Sequence, residues 1–172
     1  MKYDHMNNIV KIVNEVINDF NQSEYLKWKH NNVTLRGMRE LGKENNGMAF
    51  FGQGLYTAAL SNREMARKYG KVYFVVGAIP KHPKIVNTWN DAEIFMQQVV
   101  MNYGKRNGIS NYFDAKSDFD SKTNVRDEML KLGFDGIIIK GREMVNYTPD
   151  ENKIRYFENE NQLIQYYEDF FQ

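Results

Sequence analysis

The sequence predicts an α+β fold, in which helices and strands mix without the regular alternation of a doubly wound parallel sheet. Apolar residues recur at helical spacing over 4–20 and again over 90–103. Short apolar runs bounded by Gly and Pro, such as 72–78 and 136–140, are typical of strands. A last amphipathic segment, 160–171, predicts a C-terminal helix.

Three shorter helices are expected at 24–29, 62–69 and 123–132. Ser61 and Glu64 have the spacing of a capping box, in which each side chain satisfies an exposed backbone amide at the start of a helix. Gly70 follows where that helix would stop. The acidic stretch 118–120 lacks a calcium-loop pattern, and we assign it to a solvated face or a cap.

The expected strands are 33–36, 48–51 continuing into 55–58, 72–78, 136–140, 143–147 and 153–157. Gly52 and Gly54 interrupt the second of these, which indicates a bend or a close approach of the backbone. Pro80 and Pro83 are expected to end the strand 72–78. The polar segment 42–47 is expected to be a loop.

Length and composition indicate one soluble domain. The chain has 172 residues, which is the size of a single domain over 1–172. We expect a helical N-terminal part over 1–30, a core over 33–158 and the C-terminal helix. Lys and Arg number 23 against 22 Asp and Glu, so no strong field favours nucleic acid. The chain has no Cys, which excludes disulfides, thiolate metal sites and Cys nucleophiles.

No stretch approaches the length of a membrane span, and the first residues lack the apolar run of a signal peptide. We therefore expect a cytoplasmic protein with no membrane partner. Its richness in Asn, Lys, Ile and Tyr suggests an AT-rich bacterial or phage genome, and the host cytoplasm is the expected location if a phage encodes it. His5, His30 and His82 share no metal-ligand spacing, so no metal is expected.

Three separated blocks carry the residues with the clearest chemical meaning. The first is Arg36-Gly37, and the second is Gly-Gln-Gly-Leu-Tyr-Thr-Ala, which contains Tyr56. A helical run after the second block ends near Tyr69, and the third block begins at Glu143. Two such tyrosines can clamp a flat ring, and a carboxylate beside them can stabilise a developing positive charge.

In order and spacing, these blocks resemble the nicotinamide site of the ADP-ribosyltransferase superfamily. The second block is similar to the Gly-Lys-Gly-Ile-Tyr-Phe-Ala of the poly(ADP-ribose) polymerase and diphtheria-toxin branch. The third, Glu-Met-Val-Asn-Tyr, is similar to Glu-Tyr-Ile-Val-Tyr in that branch. The resemblance covers 33–158 and implies an ADP-ribosyltransferase-like split β-core, flanked by helices, that binds NAD+ as co-substrate in a cleft.

The resemblance implies a role for each matched residue. Glu143 and Tyr56 are the implied catalytic residues, and Arg36, Gly37, Tyr56 and Tyr69 are the implied NAD+-binding residues. Breaking the bond between nicotinamide and ribose builds positive charge on the anomeric carbon, as in glycoside hydrolysis, and the carboxylate of Glu143 would stabilise it. Gly37 would offer its backbone to the carboxamide, and Arg36 would hold a ribose hydroxyl or the pyrophosphate.

The sequence also departs from the pattern of this branch. Arg36 stands where the branch has His, and Met38 stands where it has Ser. Gly141 occupies the first Glu position of the Glu-x-Glu motif of arginine-specific transferases, which disfavours guanidinium acceptors. Taken singly, each site residue has a structural alternative: the tyrosines as core aromatics, Glu143 as a solvated strand residue beside Lys140 or Arg142, and Arg36 in an ion pair.

The expected function is NAD+-dependent mono-ADP-ribosylation of a protein, by a phage or bacterial effector. An NAD glycohydrolase and a transferase acting on nucleic acid are alternatives that keep the site and change the acceptor. A non-catalytic interaction protein on the same fold is an alternative of another class, because fold does not fix function.

Overall fold

The computed structural model describes residues 20–39 and 50–171 of the chain, and the elements are numbered within these ranges. The helices are α1 Gln22–Asn32, α2 Arg63–Arg67, α3 Trp89–Arg106, α4 Tyr112–Lys122, α5 Val125–Lys131 and α6 Glu160–Phe171. The strands are β1 Val33–Met38, β2 Leu55–Ala58, β3 Lys71–Val76, β4 Pro83–Val86, β5 Gly136–Ile139, β6 Glu143–Asn146 and β7 Arg155–Phe157. This mixture of helices and strands confirms the predicted α+β class.

The seven strands form one mixed sheet in the order β4-β5-β6-β2-β1-β3-β7. Only β4 and β5 run parallel, and every other neighbouring pair is antiparallel. β1 pairs with β3 along all six of its residues, but its register with β2 consists of the single pair Leu35↔Ala58. The centre of the sheet is therefore its least connected seam.

Helices cover one face of the sheet through two main apolar clusters. Side chains of α3, α4 and α5 pack on the half of the sheet that contains β5 and β6, where Ile137, Ile139 and Val145 are buried. Tyr25 of α1 and Leu163 of α6 pack against the other half, over β1 and β3. The seam between β1 and β2 lies between these two halves, so it is flanked by packed helices on both sides.

Most expected elements are present with shifted ends, and the C-terminal helix begins and ends as expected. The expected helix 62–69 is shorter, Arg63–Arg67, and its N-cap is Asn62, whose side chain accepts from the Met65 amide, rather than Ser61. The strand expected over 72–78 ends at Val76. The expected helix over 4–20 lies outside the described residues except for Phe20, which is not helical, and the loop 42–47 lies wholly outside them.

Two expectations were wrong. Pro83 does not merely follow a strand: it begins β4, where a residue without an N–H is tolerated because β4 is an edge strand. The stretch 118–120 lies in α4, a helix that was not expected, and Asp120 is exposed on its surface. Phe50 and Phe51 form a turn rather than a strand, while Met48 and Ala49 lie outside the described residues.

No helix in the described part of the chain is long and apolar enough to cross a bilayer.

A buried carboxylate ties α3 to α5. Glu128 is 2 % exposed and accepts from Arg106 at 2.6 Å, Thr123 at 3.0 Å and Lys131 at 3.0 Å. Burial alone would raise the pKa of Glu128, but the bonds from Arg106, Lys131 and Thr123 outweigh it and hold that pKa below its usual value of 4.5.

We predict that Glu128→Gln lowers the free energy of unfolding at pH 7 by about 1–3 kcal/mol, because charged hydrogen bonds are lost in a buried site. A depressed folded-state pKa contributes stability that is present above pH 4.5 and is lost as pH falls through the folded value. The difference between variant and wild type in urea titrations should therefore shrink between pH 6 and pH 3.

The matched control is Asp120→Asn, which removes an exposed carboxylate paired with Lys116 one turn away on α4. It should change stability little, since exposed i,i+4 pairs are weak. An Asp120→Asn effect as large as that of Glu128→Gln would contradict the assignment of Glu128 as the stabilising carboxylate.

Candidate functional site

Tyr56 and Glu143 lie on the same face of adjacent strands. β2 and β6 pair with Tyr56 opposite Val145 and Ala58 opposite Glu143. Directly paired residues, and residues two apart on one strand, share a face of a sheet. Glu143 is therefore one diagonal step from Tyr56, and its charge contributes to raising the pKa of the Tyr56 hydroxyl.

The Tyr56 ring is held in place by core packing and by a hydrogen bond from its hydroxyl group. It packs against the large core cluster, and its hydroxyl donates to the carbonyl oxygen of Gly52 at 2.6 Å. Burial raises its pKa well above the usual value, and the nearby Glu143 and Tyr69 add to that rise. Tyr56 therefore stays a neutral phenol at any physiological pH, which suits a ring-stacking role and not a proton-accepting one.

Tyr69 lies just beyond the end of α2. Its amide donates to the carbonyl of Ala66 at 3.1 Å, and its side chain is 51 % exposed. A Cβ added at Gly37 would lie 3.3 Å from the Tyr69 Cβ, so Tyr69 stands beside β1 on the face that Gly37 presents to α2. A half-exposed ring on the same face as the half-buried Tyr56 ring can cover a flat group from the solvent side.

Gly37 is where β1 meets α2. A Cβ added at this position would lie 1.7 Å from the Ala66 carbonyl oxygen and 3.3 Å from the Tyr69 Cβ. A glycine is therefore required by the helix that packs on the strand. This close approach is made by the protein itself, whereas the sequence suggested that a ligand would make it.

Gly37 also shares the face of Tyr56. The register pair Leu35↔Ala58 places Gly37 and Tyr56 at neighbouring positions two residues further along the two antiparallel strands. The structure thus brings Gly37, Tyr56, Tyr69 and Glu143 together on the helix-bearing side of the central seam.

Arg36 does not share that face. Side chains alternate between the two faces of a sheet along a strand, so the Arg36 side chain leaves β1 on the face opposite that of Gly37. Its guanidinium is half-buried and forms no hydrogen bond or ion pair in the part of the chain that the structure describes. Thr34 and Thr57 share its face, and their buried hydroxyls have no hydrogen-bond partner there. The structural alternative of an Arg36 ion pair is thus not seen among these residues.

Arg142 lies beside the site, although the sequence indicated it only as a possible neighbour of a solvated Glu143. Its Nε lies 3.4 Å from Glu143 Oε1, and its guanidinium carbon lies 4.8 Å from the centroid of the Trp89 ring. Its backbone is held as well, since its amide donates to Ile139 O at 3.1 Å and its carbonyl accepts from Ala59 N at 3.0 Å. Arg142 is therefore a positioned cation beside the candidate catalytic carboxylate.

Trp89 belongs to a small aromatic group that the sequence did not single out. Its ring lies 5.3 Å from that of Phe50 and 5.1 Å from that of Phe51, and its indole N–H donates to Glu93. Trp89 starts α3 and lies 53 residues from Arg142 in the chain, so only the folded sheet brings them together. No local pattern signals this contact.

The described residues contain no group of three or more His, Asp or Glu side chains able to hold a metal ion. Comparison of the chain with protein-family models, with curated proteins and with solved structures finds no match. A functional assignment therefore depends on the residues of the site and their geometry.

We predict that Gly37→Ala lowers the free energy of unfolding by about 1–3 kcal/mol, because the new methyl group overlaps the backbone of α2 and forces the helix away from the sheet. Chemical denaturation measures this cost. The same displacement should move Tyr69, which tyrosine fluorescence or near-UV circular dichroism can follow in the folded state.

Gly141→Ala is the matched control, because Gly141 has φ +68° and nothing within 4 Å of an added Cβ. Its cost reports backbone strain alone. A Gly37→Ala protein as stable as wild type would show that α2 does not depend on this contact.

Proposed function

We propose that this protein is an NAD+-dependent mono-ADP-ribosyltransferase that modifies a protein acceptor. The observation that carries the proposal is that Tyr56 and Glu143 share one face at the central seam and that Tyr69 lies beside Gly37 on the same face. A flat ring between two tyrosines and a carboxylate next to it are what cleavage of the nicotinamide–ribose bond requires.

The topology also supports the finer fold assignment, an ADP-ribosyltransferase-like split β-core. The sheet consists of two well-paired parts, β4-β5-β6-β2 and β1-β3-β7, which share one ladder pair. A gap between β1 and β2 beyond that pair would leave Gly37 and Tyr56 on its two sides. We propose this gap as the slot for the nicotinamide ring.

In the proposed reaction, the bond between the anomeric carbon and the nicotinamide nitrogen breaks, and its electron pair leaves with nicotinamide. Glu143 stabilises the positive charge that develops on the ribose. The acceptor then bonds to the anomeric carbon and releases a proton. The tyrosines hold the ring in place and exclude water from it, which limits competing hydrolysis.

Arg36 is the proposed ligand of a ribose hydroxyl or of the pyrophosphate. Its freedom from partners among the described residues favours this role, because an unpaired half-buried guanidinium is available to an anion. Since its side chain starts on the opposite face from Gly37, it would reach NAD+ through the gap between β1 and β2 rather than across the helix-bearing face.

One observation favours a second candidate, a non-catalytic interaction domain on the same fold. Arg142 lies against the carboxylate of Glu143, and a cation there offsets part of the negative charge on which catalysis depends. The two candidates differ in whether NAD+ is consumed, so a measurement of nicotinamide release from NAD+ separates them.

We predict that Glu143→Gln lowers turnover by about two orders of magnitude or more, as expected when one preorganised electrostatic stabiliser is lost. NAD+ affinity should change little, because the charge on the ribose exists only in the transition state. Nicotinamide release and equilibrium NAD+ binding are measured on the same preparation.

Glu151→Gln is the control for this variant, since Glu151 is an exposed carboxylate in the turn before β7. It should leave both quantities unchanged. Near-normal turnover in Glu143→Gln would remove Glu143 from the reaction, and an absence of turnover in the wild type with any acceptor or water would favour the non-catalytic candidate.

We predict that Tyr69→Ala weakens NAD+ binding by about twofold to tenfold, the range expected for one aromatic contact. Stability should be unaffected, because the Tyr69 ring is half exposed. Tyr56→Ala should weaken binding and also lower stability, because Tyr56 packs on the core and bonds to Gly52.

Phe113→Ala serves as a control for removal of an exposed ring, because Phe113 is 79 % exposed on α4. Equal NAD+ affinity in Tyr69→Ala, Phe113→Ala and wild type would mean that Tyr69 does not stack on the ligand.

A further inference from the structure

A groove separate from the candidate nicotinamide site lies between α1, the β1–β3 pair and the residues that lead into α2. Its volume is about 370 Å³, which is within the range of small-molecule sites. Its floor is apolar and is formed by Leu35 and Phe74, and Leu60 and the half-exposed Leu26 also line it. Leu35 and Phe74 are directly paired across β1 and β3, so the floor is built on regular sheet.

The rim of this groove is basic. Lys29, His30 and Arg63 line it, and none of its lining residues is acidic. An apolar floor under cationic groups favours a ligand that combines an apolar body with an anionic group. The near-neutral net charge of the whole chain hides this local asymmetry.

The three rim residues differ in whether they have partners within the protein. Lys29 has two, since its ammonium group lies 2.9 Å from Glu160 and 5.2 Å from the centroid of the Phe74 ring. Arg63 and His30 form no hydrogen bond or ion pair with any residue that the structure describes. Arg63 and His30 thus line the groove as unpaired donors, and Lys29 lines it as a cation already held by Glu160.

The acidic residues nearby do not neutralise these donors. Glu64, next in the chain to Arg63, pairs with Arg67 at 2.7 Å. Glu160 accepts from the Tyr25 hydroxyl at 2.5 Å as well as from Lys29. Both carboxylates are therefore engaged by other groups, and neither pairs with Arg63 or His30.

The groove is separate from the candidate nicotinamide site. α2 packs on Gly37 through the Ala66 carbonyl and carries Tyr69 just beyond its last turn. Arg63, at the first residue of the same helix, belongs to the groove. The two sites thus lie at opposite ends of one short helix.

We propose that this groove binds a small organic phosphate of mononucleotide size. The phosphate would be held by Arg63 and His30, whose donors suit an anion with several oxygens, and the apolar part would lie on the leucines and Phe74. The site does not depend on the proposed transferase activity, because none of its residues belongs to the Tyr56–Glu143 group.

The test uses the full chain and adenosine 5′-monophosphate as the probe, with binding followed by isothermal titration calorimetry. Adenosine and inorganic phosphate, each of which lacks one half of the probe, should bind at least about tenfold more weakly than the monophosphate. Arg63→Ala should weaken binding of the monophosphate by about tenfold or more, as for loss of a charged hydrogen bond.

Lys68→Ala is the matched control, because Lys68 is an exposed cation at the end of the same helix that does not line the groove. It should bind the probe as wild type does. The proposal is overturned if the monophosphate does not bind, if Arg63→Ala binds it normally, or if Arg36→Ala abolishes binding and Arg63→Ala does not. That last result would place the probe in the NAD+ site.

Monophosphate binding that is unchanged in Arg36→Ala, which removes the proposed ligand of the NAD+ ribose or pyrophosphate, would keep the groove distinct from the NAD+ site. The groove proposal therefore stands or falls without any measurement of NAD+ consumption.

Discussion

The contact between the backbone of α2 and Gly37 is the constraint on which the candidate site depends. A five-residue helix has too few internal hydrogen bonds to be stable alone, so its position is set by what it packs against. The missing side chain at Gly37 lets the Ala66 carbonyl approach the strand more closely than any Cβ would permit. Tyr69 is held beside Gly37 as a consequence, and Arg63 is held where it lines the basic groove.

A second constraint is the seam between β1 and β2. An antiparallel pair normally gains stability from each successive ladder position, yet these neighbours share one. The adjoining pairs, β1 with β3 and β2 with β6, are in register along the full length of β1 and β2. The stability of the sheet therefore comes from the pairing within β4-β5-β6-β2 and within β1-β3-β7. The seam between these parts contributes little to stability and is available to form a binding site. The unpartnered hydroxyls of Thr34 and Thr57 at this seam fit the same interpretation, since buried polar groups are rarely left without partners in purely structural regions.

Local patterns predicted the elements that have strong periodicity, and failed where tertiary contacts decide. α3 and α6 carry clear apolar stripes, and both were expected nearly where they lie. α4 buries two residues and depends on its Asn111 cap, so no stripe reveals it. Tyr56 and Glu143 were predicted to be neighbours through resemblance alone, because they lie 87 residues apart.

The opposite orientation of Arg36 follows from simple alternation with Gly37, and strict application of that alternation to the strand would have predicted it. The contact of Arg142 with Trp89 depends on sheet order, which the sequence does not encode locally.

The pair of Arg142 and Glu143 bears directly on whether the carboxylate can serve in catalysis. A strong charge-assisted bond to a carboxylate is shorter, about 2.7–2.9 Å, and is often bidentate. Here a single nitrogen lies 3.4 Å away, and the Arg142 side chain is 43 % exposed, so water screens the attraction. The guanidinium also lies 4.8 Å from the centroid of the Trp89 ring, a second contact that holds Arg142 in place. Arg142 is thus a positioned but weak and solvent-screened partner of Glu143, too loosely paired to occupy the carboxylate fully.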